Sequence, residues 1–113
     1  MEMTRGTAMP KYVVISNHPP ESCPSANKLL NKRSKTLQKD LGTLLEKYKI
    51  KPEVICHLDP GHKILFVLEA ANSEAVRDLI YAAGLTQWND FEFYMASSLD
   101  DILKWTEKVE PVW

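Results

Sequence analysis

Apolar positions along the chain change period several times, and each change marks an element. Residues 11–17, Lys-Tyr-Val-Val-Ile-Ser-Asn, form a β-branched run of strand length that Pro19 and Pro20 bring to an end. Over about 24–48 the period becomes helical. Ala26, Leu29, Leu30, Leu37, Leu41, Leu44, Leu45 and Tyr48 fall on one broad stripe at roughly 100° per residue. Lys28, Lys32, Lys35 and Lys39 share the opposite side, while Arg33 and Ser34 sit within or beside the stripe. Proline suits the first helical position, so Pro24 makes Cys23 the expected N-cap, with Ser25 the competitor.

The second half alternates more quickly. Residues 52–58 read as a second strand and 62–69 as a third, joined by Asp59-Pro60-Gly61. In that turn proline fixes φ and glycine is expected to supply a positive φ. Asn72-Ser73-Glu74 caps a short helix that buries Ala75, Val76, Leu79, Ile80 and Ala83 and stops at Gly84. Trp88-Asn89-Asp90 leads into a fourth strand, 91–96. Ser98-Leu99-Asp100-Asp101 has the form of a capping box and opens a last helix, 98–109, carrying Ile102, Leu103 and Trp105.

This order, β-α-β-β-α-β plus a C-terminal helix, predicts an α+β ferredoxin-like domain. Parallel first and second strands with a right-handed crossover leave room for the third between them. The expected four-stranded antiparallel sheet has the order 4-1-3-2, with two helices on one face. Val13-Val14-Ile15 and residues 64–68 are apolar at consecutive positions, a pattern of strands covered on both sides. A homodimer packed sheet against sheet would supply the second cover. In element order and patterning nearly the whole chain resembles the dimeric α/β-barrel superfamily, whose protomers associate through their sheets. Within it, His18-Pro19-Pro20-Glu21-Ser22-Cys23-Pro24 together with Gly84-Leu85-Thr86-Gln87-Trp88-Asn89 resembles a family of small uncharacterised proteins. The resemblance implies a ligand cavity between sheet and helices. Haem is a cofactor suggested only by analogy with the superfamily's haem-degrading monooxygenases, which it includes along with small isomerases.

Composition narrows the classes. The 113 residues suit one domain, 11–113, behind a short flexible tail, 1–10. At 44% hydrophobic and 26% charged the chain is of ordinary globular make-up, and a net charge of -1 gives no reason to expect nucleic acid or acidic lipid. The lysines of the long helix have no aromatics among them, as on any solvated helix face. No apolar run approaches the ~20 residues that span a bilayer, and the first ten residues lack a signal peptide's apolar core. A cytosolic protein is expected, with Cys23 and Cys56 as thiols.

The topology collects His18, Cys23, His57, His62 and Trp88 at one edge of the sheet. Imidazoles and a thiolate suit zinc, copper, iron or nickel, so His18, Cys23 and His62 are candidate metal ligands, with His57 the alternate. No Cys-x-x-Cys or His-Glu-x-x-His spacing reinforces this. A second reading is metal-free: Cys23 as a thiolate with a histidine base, acting on or sensing a small molecule. A third is an interaction module, with the histidines as plain strand-end residues. Arg33 could hold a ligand's carboxylate or snorkel to the surface. Trp88 and Tyr94 are further candidate ligand contacts; Tyr94 shares a strand face with Glu92, in a cavity or in the dimer seam.

Overall fold

The structure is a computed structural model and describes residues 9–112. Along the chain come β1 (Lys11–Asn17), α1 (Lys28–Lys47), β2 (Lys51–Leu58), β3 (Lys63–Glu69), α2 (Ser73–Ala82), β4 (Asp90–Ala96) and α3 (Leu99–Lys108). The strands form one sheet in the order β2-β3-β1-β4, which is 4-1-3-2 read from the β4 edge. Every neighbouring pair is antiparallel, so β1 and β2 run in the same direction. Of the expected tail, residues 1–8 lie outside the described residues, and Pro10 already joins the fold by accepting from the Ala70 N–H at 3.1 Å.

Alternation along β1 decides which side is core. Tyr12, Val14 and Ser16 are buried, whereas Val13 and Ile15 are half-buried. Tyr12 and Val14 join Ile50, Leu68, Ala70, Val76, Leu79 and Ile80 in the core between sheet and helices. Burial of each large aliphatic side chain there stabilises by about 1.5–3 kcal/mol. α2 follows its expected capping: Asn72 accepts from the Ala75 N–H, and Gly84 leaves the helix at φ 70°. No described helix is long and apolar enough to cross a membrane.

Two local expectations are corrected. The long helix begins at Lys28, capped by the Asn27 side chain, which accepts from the Leu30 N–H at 3.1 Å. Neither Cys23 nor Ser25 is its cap. Pro20–Ser22 forms a 3-10 turn, and the Cys23 carbonyl then takes the N–H groups of Ala26 and Asn27 in a further turn. A proline at 24 fits that turn as readily as a helix start, and Asn27 is the stronger cap. Secondly, Gly61 has no positive φ; the Asp59–Pro60 bond is cis, and the left-handed residues among those described are Gly84 and Lys49.

The face of the sheet away from α1 and α2 carries Val13, Ile15, Leu65 and Val67, with Val54 and Tyr94 more exposed at its edges. α3 does not cover it. Every residue of α3 is exposed, Leu99, Ile102, Leu103 and Trp105 included. The radius of gyration, 16.8 Å, is correspondingly larger than the ~13 Å of a compact chain of this length.

Candidate metal centre

The site starts from the period of a strand. In β1 the helix-facing positions are Tyr12, Val14 and Ser16, and the next in that series is His18, just past the strand end. Residues opposite one another in an antiparallel pair share a face. Asn17 pairs with Lys63 on one side and Asp90 on the other, so the following row is His62, His18 and Asn89. The ladder continues into that row, because the His18 N–H donates to the His62 carbonyl at 3.1 Å. Three strand ends thus present two imidazoles and an amide toward the helix side.

The pieces meet closely. The His18 and His62 rings lie 5.3 Å apart edge to face, and the Trp88 ring covers His18 at 5.3 Å. The turns of 20–26 carry Cys23 over the same end of the sheet. One ligand atom each from His18, Cys23 and His62 lie within 4.8 Å of one another. Around a tetrahedral zinc, nitrogen and sulfur ligands at ~2.0 and ~2.3 Å stand about 3.5 Å apart. The ligand atoms therefore stand ~1 Å farther apart than a bound ion would hold them, and Cys23 and His62 are both only half-buried.

His18 is only 5% exposed. Its Nδ1 lies 3.3 Å from Asn89 Oδ1, a long hydrogen bond, while its Nε2 is buried without a partner. An orphaned buried nitrogen costs about 1–3 kcal/mol. Burial holds the His18 imidazole below its ordinary pKa; the Asn89 bond opposes this, and His62 and His57 add to the lowering. At Cys23 the thiol is pulled down chiefly by the Ser25 hydroxyl, whose Oγ is 2.9 Å from Sγ, with help from the backbone of Ser25 and Ala26. The cause is therefore a turn and not the start of α1.

The other candidates are placed as follows. His57 stands outside the three-residue group, exposed, with its Nδ1 2.6 Å from Asp59 Oδ1. Arg33 and Trp88 line a common groove of about 430 Å³ between α1 and the segment after α2, together with Leu37, Leu44, Ala83 and Gln87. The Arg33 guanidinium donates to Gln87 Oε1 at 2.6 Å across it. Tyr94 is remote from that groove: it lies on the open face of the sheet, its hydroxyl donating to Glu92 at 2.7 Å. Cys56 pairs with Leu65 on the same open face, and both cysteines are free. Asn89 was not legible as a site residue; only its register, one row beyond Asn17 and Asp90, could have signalled it.

Two nitrogens and one sulfur make a mixed donor set, and a four-coordinate ion held by these three residues would have one position left for a water or a small ligand. No protein-family model matches the chain, and no curated protein matches it.

Proposed function

We propose that this protein binds a transition-metal ion through His18, Cys23 and His62. The observation carrying this reading is the convergence of His18, Cys23 and His62 at a buried imidazole whose Nε2 has no partner. Unpaired buried polar groups persist where something else satisfies them. Zinc and copper fit the donor set best, since imidazole and thiolate suit both. Three converging donors favour a bare ion over haem, whose iron has its equatorial positions already filled. His57, bonded to Asp59, is the alternate ligand. The open fourth position would take a small molecule, with Arg33 and Trp88 in the neighbouring groove as its contacts; if the protein is an enzyme, the metal acts there as Lewis acid.

Metal content of protein purified without a histidine tag tests this reading. About one equivalent of zinc or copper surviving dialysis is expected, and sub-stoichiometric metal lost on dialysis removes it.

A second, metal-free reading uses Cys23 as a thiolate beside a histidine base, favoured by the Ser25 hydroxyl on its sulfur. Cys23 should then alkylate faster at pH 6 than an ordinary free thiol, and equal rates dispose of it.

A homodimer completes the proposal, in the manner of the dimeric α/β-barrel superfamily. The apolar open face of the sheet and the wholly exposed α3 support it, because a helix of ten residues has little stability without packing. The two unpaired cysteines support a cytosolic setting.

A further inference from the structure

Asn89 is tied down at both ends of its amide. Its Nδ2 donates to the Leu85 carbonyl at 3.1 Å, and its backbone N–H donates to the same oxygen at 3.0 Å. A carbonyl oxygen can only accept, so the nitrogen end of the amide is fixed toward Leu85 and the oxygen end toward His18. Asn89 Oδ1 can likewise only accept. The His18 nitrogen facing it, Nδ1, must therefore carry the hydrogen. In the neutral ring one nitrogen bears the proton and the other the lone pair. The lone pair is left on Nε2, the atom that is buried without a partner.

We infer that Asn89 is the positioning residue of the metal centre: through its pinned amide it fixes His18 in the Nδ1–H tautomer and presents the Nε2 lone pair to the ion. The inference rests on the metal-binding reading and adds to it the binding atom and the group that selects it. Outer partners of this kind orient a ligating imidazole and raise its basicity, and their loss weakens metal binding about 10–100-fold. Leu85 and Asn89 belong to the segment that also carries Trp88 over the His18 ring. One short stretch thus sets the ring's rotation, its cover and its tautomer.

Two measurements test this. Long-range proton–nitrogen correlation spectra of the metal-free protein at pH 8 report the His18 tautomer directly. A protonated Nδ1 with a bare Nε2 is expected; a protonated Nε2 overturns the inference even if zinc binds. Zinc titrations of Asn89→Leu and Asn89→Asp form the second arm. Both variants lose the side-chain donor to Leu85 and keep the backbone one, but only Asp keeps an acceptor for His18. Asn89→Leu should bind zinc about 10–100-fold more weakly, with Asn89→Asp near the native affinity. Equal weakening in the two variants assigns Asn89 to holding Leu85 and refutes a role through His18. Native protein that takes up no zinc refutes the metal reading instead, and the tautomer measurement stands apart from that result.

Discussion

Replacing His18 by leucine separates a histidine kept for a metal from one that simply fills the core. The substitution nearly conserves volume at a site 5% exposed. It removes the orphaned Nε2, a gain of about 1–3 kcal/mol, and the long bond to Asn89, a loss of about 0.5–1.5 kcal/mol. Ring contacts with His62 and Trp88 give way to aliphatic ones, a further loss of about 0.5–1.5 kcal/mol. The sum lies within about 2 kcal/mol of zero. At about 4 °C per kcal/mol for a domain of this size, the metal-free variant should melt within roughly 8 °C of native. Metal alters the comparison. Zinc at a hundred times its dissociation constant stabilises the native protein by about 2.7 kcal/mol, a rise in Tm of more than 10 °C, and should leave His18→Leu unmoved. Calorimetric melts of both proteins, with and without zinc, provide the four numbers. A metal-free variant destabilised by the ~3–5 kcal/mol typical of a large core deletion would falsify the reasoning, because His18 would then be a structural residue.

Three further outcomes are expected. His57→Ala should bind zinc within about twofold of native by titration calorimetry, since His57 stands outside the group formed by His18, Cys23 and His62. His18 has its pKa lowered by folding, so below about 6.5 the unfolded chain binds the proton that the folded chain refuses. Its contribution to metal-free stability is therefore complete above that pH and declines as pH falls below it, a slope that chemical denaturation at pH 7, 6 and 5 should show and that His18→Leu should reduce. Sedimentation should give a dimer at micromolar concentration, shifted toward monomer by Ile102→Asp on α3; a native monomer contradicts the covered-sheet argument.

The strands, their order and α2 were legible because each rests on a local pattern that packing reinforces, such as the Tyr12–Val14–Ser16 alternation or the Asn72 cap. The start of α1 was not. Pro24 and Ser25 offer the same local signals in a turn as in a helix, and Asn27 prevails by accepting from the Leu30 N–H, a contact that spacing alone does not rank. Convergence of His18, Cys23 and His62 followed from strand direction. His57 stands outside that group through the reach of its side chain, a geometry with no periodic signature. Asn89 carries no such signal, because an amide before a strand reads as a turn residue until the pairing register is known.

The row His62–His18–Asn89 also bears on how such a site can arise or disappear. It occupies the outermost rung of the ladder, beyond Ile64, Ser16 and Phe91, so the hydrophobic interior is complete without it. Chemistry and foldability are then separable inheritances. A lineage could shed the centre through substitutions on that single rung while retaining the sheet, and a designer could graft the same rung, with its overhanging cysteine, onto the end of another antiparallel sheet.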